Sequence, residues 1–309
     1  MIVVSGEALM DVFAAGTTAA GVMLDARVGG SPFNVAVGLA RLGQPAAFFG
    51  GLSQGFLGDR LLAALQAEGV DTSCAMRLPD PATISLVGLD AHGVPSYAFY
   101  GDGAADRRLP PSALAAVPRA QAYQFGSYAM VVEPVAATQR ALVERECGRS
   151  VIAYDPNIRL NVEPDLERWR DTLRWMLPRT HLLKVSDEDL GLLYPGADVT
   201  QLTREWLAVG VQLVVVTRGG EGAWAWTAAR HVAVPPVPVT VADTVGAGDT
   251  FQAALLTALA ERGRLSREGL AGLDEATLTA VLSFAAQAAA ITCSRRGADL
   301  PRRAELPAS

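Results

Sequence analysis

Four segments decide how this chain folds: "AYQFGS" (122–127), "SVIAYD" (150–155), "HLLKVS" (181–186) and "VQLVVVTRGG" (211–220). Each is a short apolar run, too brief for a helix and rich in Val, Ile, Leu and aromatic residues. Such runs read as strands buried on both faces. Helical patterns near 133–147, 165–177 and 200–209 lie between them. Strands alternating with helices predict an α/β fold: a three-layer α/β/α sandwich with a mainly parallel central sheet. "MIVVSG" (1–6) and "AAFFGGL" (46–52) add strands, and "SPFNVAVGLARLG" (31–43) and "GFLGDRLLAALQAEGV" (55–70) add helices. Ser31 is placed to cap the first helix, with Pro32 in its first turn and Gly43 ending it.

The stretch 72–101 breaks the pattern. "ATISLVGLD" and "PSYAFYG" read as two strands around a turn at His92-Gly93. Residues 12–28 carry little helical signal and are read as further strands of the same small sheet. The expectation is one domain, 1–309, with a small β lid formed from about 12–28 and 84–101. "GAWAWTAARHVAVPPV" (222–237) reads as a hairpin, and helices over about 247–262 and 274–293 close the chain.

Composition narrows the function. The chain has 309 residues, half of them hydrophobic, so a large core is available. A formal net charge of −6, with both signs mixed along the chain, gives no footprint for nucleic acid. Three widely spaced cysteines, Cys74, Cys147 and Cys293, fit neither a disulfide framework nor a zinc site. A reduced, cytoplasmic setting is the expectation. The start, with Glu7 and Asp11 and no basic region, does not read as a signal peptide, and the apolar run at 276–293 is interrupted by Ser, Thr and Gln. No membrane partner is expected.

In parallel sheets, ligands bind beyond the carboxyl ends of the strands. Gly6, Asp11, Gly126, Ser127, Asp155, Asn157, Lys184, Ser186, Thr217 and Gly219 all fall at such ends. The motif "DTVGAGDTF" (243–251) crowds Gly246 and Gly248 against Asp243 and Asp249 at the start of an apolar helix. It is neither a Walker A loop nor a dinucleotide fingerprint. Two readings stay open: Asp249 caps the helix, or the amides of 245–248 hold an anion while Asp249 takes a proton from a bound hydroxyl. In "GGSPFNVA" (29–36), the glycines let a ligand approach the backbone, and Asn34 offers a donor and an acceptor suited to sugar hydroxyls. Asp11 supplies an acceptor for further hydroxyls. The three histidines, and Trp224 and Trp226, read as turn or packing residues.

"GGSPFNVAVGLARLG" followed by "DTVGAGDTF" resembles the two signatures of the ribokinase-like (PfkB) carbohydrate kinases. The resemblance runs from "GEALMD" (6–11) through "YDPNIR" (154–159) and "KVSDEDL" (184–190) to "CSRRGA" (293–298), and is nearest the bacterial fructokinase branch. It implies an ATP-dependent kinase that transfers the γ-phosphoryl group to a primary hydroxyl of a small neutral sugar, with fructose foremost. Ribose, a nucleoside or 2-keto-3-deoxygluconate are the alternative substrates, and a catalytically silent sugar- or nucleotide-binding regulator is the alternative class. It implies Asp249 as base and Gly246, Ala247 and Gly248 as an anion hole. Asp11, Gly30, Asn34, Phe99 and Arg159 would meet the sugar. Lys184, Ser186, Thr217, Gly219, Gly222 and Gln287 would lie along the nucleotide. Glu188 and Asp189, in place of a family N-x-x-E, would serve Mg2+; Asp243 and Val245 would border a monovalent cation, K+. Gly101 stands where many relatives carry an arginine, which favours a neutral sugar over an acidic one. Related kinases also pair through their small sheets, so a homodimer is expected.

Overall fold

The computed structural model describes residues 1–89 and 95–307. The chain opens with strand β1 (Ile2–Ser5), then β2 (Leu9–Thr18), β3 (Gly21–Gly29) and helix α1 (Ser31–Arg41). Strands β4 (Ala46–Phe49) and β5 (Gly51–Ser53), helix α2 (Phe56–Ala67), and strands β6 (Met76–Leu78), β7 (Ile84–Leu89) and β8 (Pro95–Tyr100) follow. The alternating part comprises β9 (Ala122–Gly126), α3 (Val135–Glu146), β10 (Val151–Asp155), α4 (Leu166–Met176), β11 (Leu182–Ser186), α5 (Asp187–Leu193), α6 (Val199–Ala208) and β12 (Leu213–Thr217). The hairpin β13 (Ala223–Trp226) and β14 (His231–Val234) leads to α7 (Ala247–Glu261), α8 (Arg267–Ala271) and α9 (Glu275–Cys293).

The main sheet has the order β14-β13-β12-β11-β10-β9-β1-β4. Pairing is parallel from β4 to β12 and antiparallel for β13 and β14. Side-chain alternation along each strand builds two cores. Ile2, Val4, Val151, Ala153, Leu182, Leu213 and Val215 face one core with α1, α7 and α9. Val3, Ile152, Tyr154, Leu183, Val185, Val214 and Val216 face the other with α3, α4 and α6. This is the expected three-layer sandwich. Helix α9 is long and apolar enough to cross a membrane by length and composition. Here it packs on α7 and β14, with Leu278, Val281, Leu282, Phe284 and Ala285 buried in the first core.

A second sheet has the order β3-β2-β7-β8. Its strands begin earlier than the 12–28 boundary, because Leu9, Met10 and Val12 are buried and root β2 in the cores. The expected antiparallel pair of β7 and β8 is present; the turn at His92-Gly93 lies outside the described residues. The far end of β3 exposes Val22, Met23 and Leu24, each more than half exposed; Tyr100, on the opposite edge strand and paired with Ile84 near the root, is more than half exposed as well.

Two local readings need correction. Ser31 does not cap α1; the N-cap is Gly30, at φ 104°, and Ser31 is the first helical residue with its hydroxyl turned elsewhere. Helix α5 was not anticipated, because "SDEDL" is too polar and short to show a helical stripe. Ser186 nucleates it by accepting from the Asp189 amide.

Candidate active site

The helix start at α7 is shaped by glycine. Gly246 is the N-cap, left-handed at φ 79° and ψ −1°. A Cβ there would stand 2.6 Å from the Ala298 Cβ, so both conformation and space exclude a side chain. Asp243 braces the approach: its carboxylate accepts from the Val245 amide at 3.0 Å and the Gly297 amide at 2.8 Å. The Ala247 amide closes a turn onto the Thr244 carbonyl, and the first helical bond runs from the Thr250 amide to the Gly246 carbonyl. The amides of Gly248 and Asp249 therefore precede the helical ladder, at the positive end of a fifteen-residue helix.

Asp249 sits in that first turn and does not cap it; no side chain caps α7. Its two oxygens accept from α1 instead: from the Ser31 hydroxyl at 2.6 Å and the Asn34 amide at 2.8 Å. The capping reading thus gives way. The carboxylate is buried and turned toward the residues that the sequence reading assigned to sugar. Gly30 brings α1 close: a Cβ there would lie 2.9 Å from the Glu7 carbonyl. Asp11, on β2, completes the group; burial raises its pKa, a Ser85 hydroxyl and the Arg159 guanidinium lower it, and the charge of Asp249 raises it. Phe99, half-buried on β8, stands across β7 from the same row, opposite Ser85.

Beneath the glycines lies a buried ion pair. Lys184 Nζ is 2.7 Å from Asp155 Oδ2, and both side chains are buried. A Cβ on Gly248 would stand 3.3 Å from that ammonium, so Lys184 ends under the helix start. Burial lowers the Lys184 pKa, but the charges of Asp155, Asp189 and Asp249 outweigh it and hold it above the ordinary value. Burial pushes Asp155 up to about 6. The Lys184 direction favours its ammonium; burial works against the Asp155 carboxylate, but a value of about 6 still lies below neutral pH, so the pair is ionised there. Asp189 accepts from the Ile158 amide at 3.1 Å, which ties α5 to the loop after β10 and fixes the base of Arg159. Glu188, its neighbour, is exposed.

The remaining candidates lie further along the carboxyl edge. Ser186 caps α5. Thr217 ends β12, and Gly219 and Gly222 have φ 47° and 91°. Gly222 packs on the Val234 carbonyl, 2.1 Å from where its Cβ would be. Gln287 is half-buried on α9. Among the described residues, no hydrogen bond joins these last four to the Asp249 cluster.

The sequence reading passed over Glu7. It is fully buried at the end of β1 beside Ser127, and Oε2 has no hydrogen-bond partner. Burial raises its pKa to about 8. The acid of "SGEALMD", set at the carboxyl end of a buried strand, was the available signal. It also missed Ser31, Asp106 and Arg107. Asp106 accepts from Thr83 and Tyr128, and Arg107 fills the space beside Gly101, where a Cβ would lie 2.4 Å from its guanidinium.

A family model, the pfkB family carbohydrate kinases, matches residues 1–304. The chain belongs to this family. It is 39% identical to a fructokinase of Rhizobium leguminosarum bv. trifolii over 279 residues, covering 90% of this chain and 85% of that one. A crystal structure of a Xylella fastidiosa fructokinase with bound ATP superposes with a TM-score of 0.86 at 26% identity, covering 99% and 94% of the two chains. A Vibrio cholerae O395 fructokinase with fructose, ADP and calcium ion gives 0.81 at 26% identity, covering 96% and 94%. This pfkB-family chain is a sugar kinase, a phosphotransferase acting on a sugar hydroxyl.

Proposed function

We propose that the protein is an ATP-dependent fructokinase and that Asp249 is its general base. The observation that carries this reading is the orientation of Asp249. A buried carboxylate at an anion-attracting helix start is held by α1, next to Asn34 and Asp11, and caps nothing. Fructose is held by Asp11, Asn34 and the Gly30 backbone, with Arg159 and Phe99 beside it. On sugar binding, Asn34 turns from Asp249 to a sugar hydroxyl, which frees a carboxylate oxygen for the acceptor's proton. The Gly246, Ala247 and Gly248 turn and Lys184 meet the charge of the transferring phosphoryl group. The nucleotide runs on past Ser186, Thr217, Gly219 and Gly222 toward Gln287.

The donor set fits a divalent ion that arrives with the nucleotide. Asp155 Oδ1 is buried without a partner, and Asp189 stands near. Among the described residues, no cluster of three metal-ligating side chains holds an ion alone. Mg2+ commonly keeps several waters and binds through one or two carboxylates together with phosphates. It would offset phosphate charge here, with Asp155, Asp189 and Glu188 as the acids at hand. Asp243 and the Val245 carbonyl would border K+, though both Asp243 oxygens already accept amides.

The small sheet is read as a lid on the sugar and as the contact of a cytoplasmic homodimer, supported by exposed Val22, Met23, Leu24 and Tyr100. A sugar panel with ATP, scored by ADP release and product identity, tests the function. Fructose phosphate is the expected product; ADP release that no sugar stimulates would leave the binding-regulator reading instead. Light scattering tests the dimer: charges at Phe99 and Tyr100 should shift the mass to monomer and raise KM for fructose.

A further inference from the structure

The small sheet carries a cation that the reading above leaves unused. Strand register puts Arg27 of β3 directly opposite Asp11 of β2, Ser85 of β7 on the other side of Asp11, and Phe99 opposite Ser85. Residues directly opposite share a face. The row Arg27, Asp11, Ser85, Phe99 therefore lies on the face that bears Asp11, whose carboxyl feels Arg159 and Asp249. That face is turned to the site.

The Arg27 guanidinium has two partners on its own sheet. It pairs with Asp25 at 2.7 Å and lies over the Phe13 ring, 5.5 Å from the centroid. Both charged side chains are nearly half exposed, so the pair is weak and exchangeable. The other end of the guanidinium leaves the sheet. A Cβ built on Gly297 would stand 3.2 Å from Arg27 Nη1, so that nitrogen lies against the loop after α9. This loop walls the anion hole: the Gly297 amide is bonded to Asp243, and Ala298 packs on Gly246. An arginine from the sugar-side sheet thus reaches the rim of the phosphate-side turn, across 270 residues of sequence.

Charge balance gives that position a use. Asp155, Asp189, Asp243 and Asp249 surround the turn, with Lys184 beneath it and Arg159 close to Asp11; Arg295, on the loop of Gly297, is already paired with Asp299 and Glu305. A nucleoside triphosphate adds further negative charge. A planar guanidinium suits phosphate oxygens in a bidentate fork.

We propose that Arg27 is a phosphate ligand carried by the lid. With sugar on Asp11, Arg27 exchanges Asp25 for oxygens of the terminal phosphoryl group. It stays on that group as the bond to the ADP oxygen breaks and the bond to the sugar oxygen forms, while the hydroxyl proton passes to Asp249. One sheet then holds both the sugar and the phosphate. Sugar and triphosphate must bind with positive coupling, each raising the affinity for the other by the same factor. This rests on the sugar-kinase reading.

The test is calorimetric titration of fructose with and without β,γ-methylene-ATP, alongside turnover. Wild type should show coupling of about 10-fold, within the usual range for linked sites. Arg27→Gln should bind fructose alone within about 3-fold of wild type, bring the coupling to about 1 and lower kcat by at least ~10-fold. Arg27→Lys, which keeps the charge, should restore part of both. Asp25→Ala, which removes only the competing partner, should keep or strengthen the coupling. Wild-type coupling in Arg27→Gln, absent coupling in wild type, or equal loss in Asp25→Ala would overturn the proposal. A wild-type protein that phosphorylates no sugar would instead defeat the kinase reading.

Discussion

Replacing Asp249 by asparagine separates catalysis from structure at the helix start. The two side chains have nearly the same shape, and the Asp249 carboxylate makes two bonds, to Ser31 at 2.6 Å and to Asn34 at 2.8 Å. An amide can keep both, presenting its oxygen to the Asn34 amino group and its amino group to the Ser31 oxygen. What changes is that two charge-assisted bonds become neutral. The difference is about 1 kcal/mol for each bond, offset by the lower cost of burying a neutral group, so a net loss of about 1–2 kcal/mol is expected. For a chain of this size that lowers Tm by a few degrees at most. Turnover should respond differently. Loss of a positioned base lowers kcat by at least ~10²-fold, about 3 kcal/mol of barrier, while fructose affinity stays within a few-fold. The assay pairs thermal unfolding with steady-state ADP release and fructose titration. A variant with turnover within about 3-fold of wild type would refute the base. A large drop in Tm with turnover retained would return Asp249 to a structural role.

Four further outcomes are expected. Asp11→Ala should weaken fructose binding by about 1–3 kcal/mol in calorimetry, because hydroxyls lose a buried partner, and leave ATP affinity in the absence of sugar unchanged. Gly246→Ala should cost more stability and activity than Gly43→Ala: both glycines are left-handed, but only at Gly246 does a Cβ meet a neighbour, Ala298, and Gly43 faces open space. Replacing the Lys184–Asp155 pair together by Met and Leu should leave Tm unchanged or higher, since the pair's desolvation cost disappears, yet abolish turnover. Glu7→Gln should flatten the pH dependence of stability: with the folded pKa at about 8 and the unfolded value at 4.5, the native state alone holds a proton between them, so wild type loses up to about 5 kcal/mol as pH rises through that window. Chemical denaturation at pH 5, 6.5 and 8 measures this slope, and parallel curves for the two proteins would exclude Glu7 as its source.

The main sheet was legible because buried parallel strands are short apolar runs and helices separate them. The period of two inside β9 to β12 then distributes Tyr123, Ile152, Leu183 and Val214 to one core and Ala122, Val151, Leu182 and Leu213 to the other. The small sheet showed as a break in that rhythm, but its root did not, because Leu9, Met10 and Val12 belong to the cores as much as to the sheet. At the site, Asp249, Asn34, Asp11 and Lys184 stood out as polar residues set beside glycines or apolar runs. Ser31 misled, since serine before a helix is an ordinary cap, and here Gly30 takes the cap and releases the hydroxyl to Asp249. Arg27 and Arg107 gave no signal: an arginine in a half-exposed strand is unremarkable until register shows what stands opposite it.

The polar residues of the sheet follow the same alternation as its cores. Gln124, Asp155 and Lys184 continue the rows of Ala122, Ala153 and Leu182, so all three project toward the face that carries α7 and α9. Gln124 bonds Gln252 on α7, and Asp155 and Lys184 bond each other under Gly248. Burying an ion pair is a poor way to stabilise a fold, since the desolvation of both charges can exceed their attraction. On β12 the apolar alternative is used: Val215 stands directly opposite Lys184. The pair is better explained by what it fixes. Asp155 holds an ammonium at a set depth beneath the helix start, where the α7 dipole repels a cation and nothing else would keep it. Acids balance the ammonium within the protein; on the proposed mechanism the same charge would lie under the phosphoryl group being transferred. On that mechanism, the cost in stability falls where the chemistry would require a charge that cannot move away.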